Sequence, residues 1–357
     1  MRSSVFADID LSALRHNLAV VRAHASHSRV MAVVKSLAYG HGCIPIAQAL
    51  QGQADALAVA RFEEAVALRE AGISGALVVL EGPACAAQLD VAAELDLQLT
   101  LHHASQLPLL RSYRGAPLAC WLKCDTGMHR LGFVPQELAG LHAELCALPG
   151  VASVDLMTHL ACADDRYDAT TQAQLAAFAQ AAEGLQAQRS IANSAGILAW
   201  PDSHADWVRP GLMLYGASPM LGQDAGAFDL RPVMTLQAPL IAIKPLAAGE
   251  AVGYGATWRA PRDLPLGVVG IGYGDGYPRH IGADAQVLIN GQRVPVVGRV
   301  SMDMITVDLS GIEAQVGDSV TLWGEGLSAD EVARWADTIP YTLFCGVSAR
   351  VERRYKD

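Results

Sequence analysis

The sequence predicts an α/β protein: a (β/α)8 barrel over residues 1–230, followed by a mostly antiparallel β domain over residues 231–357. Between Val30 and about Leu214, eight short apolar runs alternate with longer stretches of helical periodicity, the pattern of a barrel, with a doubly wound sheet as the alternative. Beyond roughly Leu230 the apolar runs are joined by turn residues, and Asn290-Gly291, the favoured two-residue hairpin turn, separates two of them. The 357 residues suit two domains, or one large barrel with an addition. At 52% hydrophobic and 17% charged residues, the chain has ample material for a core and is unlike a disordered one.

The elements follow in order. FADID (6–10) reads as a strand that pairs outside the barrel. Asp10 then caps a helix whose Leu11, Leu14, Leu18 and Val21 share one face. The barrel strands are VMAVV (30–34), ALAVA (56–60), ALVVL (76–80), LQLTL (97–101), LACWLK (118–123), SVDLMTH (153–159), QRSIAN (188–193) and the segment 208–214. Of the helices between them, RFEEAVALREAG is typical: Phe62, Ala65, Val66 and Arg69 fall at helical spacing and Gly72 supplies the stop. After a junction near Pro232 come the hairpin VLINGQRVPVV and the strand GDSVTLWG. One short helix, SADEVARWA, starts with Ser328 and Glu331 at capping-box spacing, and SARVERRY closes the chain.

A formal net charge of −10 speaks against a nucleic-acid scaffold or a binder of acidic membranes, though a local basic pocket fits within it. The seven cysteines, at 43, 85, 120, 124, 146, 162 and 345, are odd in number and form no C-x-x-C, which favours a reducing compartment over a disulfide framework or zinc ribbon. MRSSVFADIDL lacks the apolar core of a signal peptide, and no apolar run is long enough to span a bilayer, so a cytoplasmic location is expected.

The first chemical question comes from VVKSLAYGHG (33–42), where Lys35 closes a buried strand. A strand-end lysine ordinarily snorkels to the surface; one held dry can form a Schiff base with a carbonyl compound. A second cluster, Asn193-Ser194-Ala195-Gly196 with Arg209-Pro210-Gly211-Leu212, falls on the loops after the seventh and eighth strands, where barrels commonly bind phosphate. Lysine and phosphate cup together fit pyridoxal 5′-phosphate, and fit equally an aldolase that forms a Schiff base with a phosphorylated substrate. Taken singly, Tyr254 is an ordinary strand tyrosine, His159 a strand-end histidine and Tyr341 a hydrophobic edge cap. GIGYGDGY runs into Tyr277-Pro278 rather than a helix, against a dinucleotide loop, and the histidines show no metal-ligand spacing.

Several long segments in order, spanning both halves, resemble the alanine racemase family of fold-type III pyridoxal-phosphate enzymes. They are AVVKSLAYGHG (32–42), WLKCDTGMHRLGF (121–133), MTHLACAD (157–164), NSAG (193–196), WVRPGLMLYG (207–216), VGYGATW (252–258), GYGDGYPRH (272–280), GRVSMDMITVDL (298–309) and IPY (339–341). The resemblance implies a racemase that interconverts L- and D-alanine, a peptidoglycan precursor, through an aldimine with two opposed bases. Lys35 would hold the cofactor and act as one base; Tyr254 would be the other, supported by His159 and Arg209. Tyr39, Asn193, Ser194, Gly211, Leu212 and Tyr341 would surround the cofactor at its phosphate end. Arg209 would face the pyridine nitrogen and, being unable to give up its proton readily, leave that nitrogen unprotonated. Arg130 would contact the cofactor's phenolic oxygen and the substrate carboxylate. In many family members the lysine matching Lys123 is carbamylated and steadies that arginine. Tyr254 and Met302 would reach the site from the other subunit of a head-to-tail homodimer with shared sites; Asp303 would lie near that entrance.

Three departures stand out. Leu37 replaces the usual asparagine or aspartate, Ser190 a common histidine, and Ser301 a cysteine found in some members. None removes a base or the phosphate cup. The other readings are a broader-specificity or serine racemase of the same family, a fold-type III decarboxylase, which the cationic Arg209 disfavours, and a non-catalytic cofactor carrier, which would need no second domain.

Overall fold

The structure, a computed structural model, describes residues 5–357; the first four residues of the segment read for a leader lie outside the described residues. The chain begins with strand β1 (Phe6–Asp10) and the helix Leu11–His24. Asp10 caps that helix as expected, its carboxylate accepting from Ala13 N at 2.9 Å. Leu14, Leu18 and Val21 bury the helix face against the core, with Leu11 packed at its edge.

Eight parallel strands follow: β2 (Arg29–Val33), β3 (Ala56–Val59), β4 (Ala76–Val79), β5 (Leu97–Leu101), β6 (Leu118–Lys123), β7 (Val151–Met157), β8 (Arg189–Ser190) and β9 (Trp207–Val208). β2 pairs with β9 through Arg29↔Trp207 and Val30↔Val208, which closes the barrel and removes the doubly wound alternative. The last two strands are much shorter than the sequence suggests. Asn193 turns the chain into the helix Ser194–Ala199, and Pro210 has no N–H to extend a ladder, so Leu212–Tyr215 coils into a 3-10 turn. Both truncations bring backbone to the mouth of the barrel, where the site lies.

The second half is built on the long strand β10 (Met234–Leu246). Its eight-stranded sheet runs Leu264–Val269, Ile305–Asp308, Gln292–Val297, Gln286–Ile289, Ser319–Trp323, β10, β1 and Glu352–Lys356. β1 thus pairs outside the barrel: antiparallel to β10 and parallel to the terminal strand Glu352–Lys356. The expected hairpin turn is present, with φ 52° at Asn290 and 76° at Gly291. Ser328 caps its helix by accepting from Glu331 N at 3.1 Å, but the reciprocal half of the capping box is missing. Glu331 is instead drawn to Arg293, at 2.6 Å. A second helix, Pro340–Gly346, corrects the expectation of only one in this half. Among the described residues, no helix is long and apolar enough to cross a membrane.

Candidate active site

A cavity of about 600 Å³ opens at the C-terminal ends of the barrel strands. Each strand end supplies what its sequence placed there. Lys35 follows β2, Lys123 ends β6, and Arg130 comes from the loop beyond it; His159 follows β7, Asn193 and Ser194 follow β8, and Arg209, Gly211 and Leu212 follow β9. Tyr341 and Cys345 enter from the helix Pro340–Gly346. Tyr39, one turn beyond Lys35, completes the wall.

That turn is unusual. Ser36, Leu37, Ala38 and Tyr39 have φ of 56°, 56°, 53° and 52°, four successive L-residues in the left-handed region. Each such residue costs about 1–2 kcal/mol relative to a right-handed turn, so the surroundings must hold it. Glu64 accepts from Ser36 N at 2.6 Å, Arg353 donates to Gly40 O at 2.6 Å and Tyr355 donates to His41 O at 3.0 Å. Gly40 is required here: a Cβ on it would lie 2.0 Å from Phe344 O.

Four cations converge on the cavity, giving it a basic interior inside an acidic protein. Burial, and then the Arg130 charge, lower the Lys35 pKa, with Glu64 and Glu81 only partly offsetting them. Lys123 is lowered to about 8, first by burial and then by Arg209, Arg130 and Lys35. Arg209, only 5% exposed, is lowered to about 10 by burial and so stays charged at neutral pH. Its guanidinium donates to Ser190 Oγ at 2.6 Å, to Thr158 O at 2.5 Å and to Ile191 O at 3.1 Å, with His159 Nδ1 at 3.5 Å. Ser190 gives its own proton to Trp207 O at 3.1 Å, which turns a lone pair toward Arg209. Burial, then Arg209, hold His159 well below the usual imidazole range, so it is neutral. The Arg130 guanidinium has no hydrogen-bond or ion-pair partner among the described residues, and it is exposed.

Another part of the cavity wall suits an anion. Ser194 Oγ accepts from Gly211 N at 2.9 Å and Met213 N at 3.3 Å, leaving its proton to donate into the cavity. Tyr39 stacks on Tyr215 at 4.8 Å and tilts against Tyr341 at 5.5 Å. Burial raises the pKa of Tyr39, and that of Tyr341 to about 12, so both phenols remain donors. A Cβ on Gly211 would come within 2.5 Å of the Tyr39 hydroxyl, so any larger residue there would push the Tyr39 ring out of place. A largely buried amine, a cup of hydroxyl donors and a buried arginine in one cavity therefore fit an aldehyde cofactor with a phosphate arm.

Other expected residues stand apart. Asn193 lines the cavity, but its amide is committed: Oδ1 accepts from Gly196 N at 2.9 Å and Nδ2 donates to Leu160 O at 3.3 Å. Tyr254 is 70% exposed and Met302 53% exposed, and neither lines the cavity of its own chain. Asp303 pairs with Arg350 at 2.8 Å. Sequence reading missed Thr158 and Cys345 in the cavity wall, and Arg353 and Tyr355 behind it. Only Cys345 had a legible signal: Pro340 at a first helical position announces the helix that carries it.

Fold and cavity together define a class: a (β/α)8 barrel that carries a lysine amine and a hydroxyl-lined cup in one cavity at its strand ends. Comparison with known proteins makes this specific. The alanine racemase N-terminal domain family matches residues 9–219 and the alanine racemase C-terminal domain family matches residues 233–355. The alanine racemase of Nitrosococcus oceani is 54% identical over 353 residues, covering 97% of this chain and 98% of that protein. That of Chromohalobacter salexigens is 50% identical over 360 residues, covering 100% and 99%. The crystal structure of biosynthetic alanine racemase from Pseudomonas aeruginosa superposes with a TM-score of 0.96 at 46% identity, covering 99% of this chain and 100% of that one. The chain belongs to the alanine racemase family, whose members are pyridoxal-phosphate-dependent isomerases.

Proposed function

We propose that the chain interconverts L- and D-alanine with pyridoxal 5′-phosphate held on Lys35, in a cytoplasmic homodimer whose β domain, 231–357, lends Tyr254 and Met302 to the neighbouring barrel, 1–230. Alanine racemase activity follows from membership of the family along the whole chain. The residue roles are our reading, and one observation carries them: the Lys35 amine, lowered in pKa by burial and Arg130, shares a cavity with Arg209 and the Ser194–Gly211 cup.

When bound, the cofactor supplies a carbonyl that takes up amino groups and a conjugated ring that spreads negative charge from Cα. Ser194, Gly211, Leu212, Tyr39 and Tyr341 would hold its phosphate. Arg209 would face the pyridine nitrogen and leave it without a proton, because a guanidinium fixed on three acceptors, Ser190, Thr158 and Ile191, keeps its own. Arg130, with no other partner among the described residues, would take the alanine carboxylate. Lys123 would carry a carbamate that steadies Arg130: its ammonium loses one proton, the neutral amine adds to carbon dioxide and releases a second, and a buried positive charge is replaced by a negative one. Lys35, freed by the incoming substrate, would hold or deliver the α-proton on one face, and the partner's Tyr254 would do so on the other. His159, kept neutral, and Arg209 would support that phenol. Seven free cysteines suit a reducing cytoplasm.

The test is racemisation by the purified protein across a panel of amino acids, with α-proton exchange followed in deuterated water. Alanine should react well ahead of larger amino acids. Lys35→Ala should lose the visible absorbance of the bound cofactor and racemisation together; retention of full activity would overturn the assignment. Tyr254→Phe should still exchange the α-proton of one enantiomer while inversion stops, and equal small losses with both enantiomers would count against two opposed bases.

A further inference from the structure

His41 lies directly behind the left-handed turn and takes no part in the chemistry above. Its side chain is wholly buried, tilted against Tyr215 at 4.6 Å and edge-on to Phe344 at 5.0 Å. Nδ1 sits 2.9 Å from Tyr39 O and 3.1 Å from Ala38 O, while Nε2 has no hydrogen-bond partner among the described residues. Two carbonyls can only accept, so Nδ1 must carry the proton and Nε2 a bare lone pair. The opposite tautomer would bury an N–H against aromatic faces and leave two carbonyls without this donor. A cation is also disfavoured: burial lowers the pKa to about 4, and nearby Arg353 pushes it the same way. The imidazole is therefore a single fixed donor, aimed at the backbone of a segment that ordinary L-residues avoid.

The position of that segment gives the donor its purpose. Lys35 lies at one end of the turn and Tyr39 at the other, so the amine and one wall of the phosphate cup are carried by the same four peptide groups. We propose that His41 is a positioning residue: its Nδ1–H, shared between the carbonyls of Ala38 and Tyr39, locks the left-handed turn so that Lys35 and Tyr39 meet the cofactor together. Arg353 and Tyr355, on the terminal strand, brace the same loop from the β sheet through Gly40 O and His41 O. The inference rests on the reading of Lys35 and Tyr39 given above.

Three variants of the full chain separate a donor from a filler. H41N places an amide N–H close to where Nδ1 stands. H41F keeps the aromatic packing but has no donor. Y355F removes a neighbouring brace and leaves the imidazole alone. Two quantities are read: cofactor affinity, from absorbance during titration, and amide hydrogen exchange over residues 36–42 before and after cofactor removal. H41F should weaken cofactor affinity tenfold or more and speed exchange in both states, with kcat falling more than KM for alanine rises. H41N should recover most of both quantities, and Y355F should shift them in the same direction by a smaller factor. H41F with wild-type affinity and exchange would overturn the proposal. So would H41N impaired as badly as H41F, since packing alone would then explain the residue. If H41F does not fold, H41N and Y355F still decide, because a folded H41N with weakened affinity also overturns it. Faster exchange in cofactor-free H41F with unchanged cofactor affinity would refute only the link to Lys35 and Tyr39, leaving the turn itself held by His41.

Discussion

A buried amine that titrates near neutrality is both a hazard and a reagent. Lys123 is such a group: burial and three neighbouring cations lower it to about 8, so a sizeable neutral fraction exists under ordinary conditions. Only the neutral amine adds to carbon dioxide, and the carbamate formed would relieve the crowding of positive charge that depresses the amine. Protein incubated with 13C-bicarbonate should therefore show one carbamate carbon resonance that Lys123→Ala lacks, growing as pH rises through about 8. An identical spectrum from the variant would remove Lys123 from this role. At this scale the sequence was highly legible for Lys35, Ser194 and Arg209, because each falls at a barrel strand end or in the loop just after it, whereas Arg130 was reached through the family resemblance. It was silent on His41 and Arg353, whose meaning depends on which carbonyls they meet.

Elements decide how accurately those residues are presented. The turn Ser36–Tyr39 contains no glycine, so nothing in its composition announces a left-handed path; only the flanking Gly40 and Gly42 hint at it. Its neighbour, the helix Pro340–Gly346, escaped notice because seven residues are too few to display a period. The two are mutually dependent, since Phe344 O occupies the space where a Gly40 side chain would sit. Gly40→Ala combines that collision with a φ of 79°, and should destabilise the protein by about 2–4 kcal/mol in urea unfolding while lowering cofactor affinity. Gly52→Ala is the control: φ is 74°, nothing lies within 4 Å, and the loss should be limited to about 1 kcal/mol of backbone strain. Similar costs for the two would mean that the helix and the turn are not in register as described. The barrel strands were easier to read than these pieces, except the seventh and eighth, where cap and proline chemistry overrode the apolar pattern.

On the scale of the molecule, the proposed site is divided. The barrel supplies Lys35, but Tyr254 and Met302 project from the other half of the chain, largely exposed and away from their own cavity. The proposed head-to-tail dimer would resolve this, because each barrel would then be completed by the neighbour's β domain. Complementation tests the arrangement without a structure of the dimer. Lys35→Ala and Tyr254→Phe each spoil both sites of a homodimer. In a hybrid, one site carries both defects and the other carries neither. Random reassortment makes half the dimers hybrid, so mixing equal amounts should restore about a quarter of wild-type activity. If both groups instead belonged to one chain's site, every site in the mixture would carry one defect and activity would stay at the level of the parents. Each variant assayed alone at the same total concentration sets that parental level, so activity in the mixture above it belongs to the hybrids.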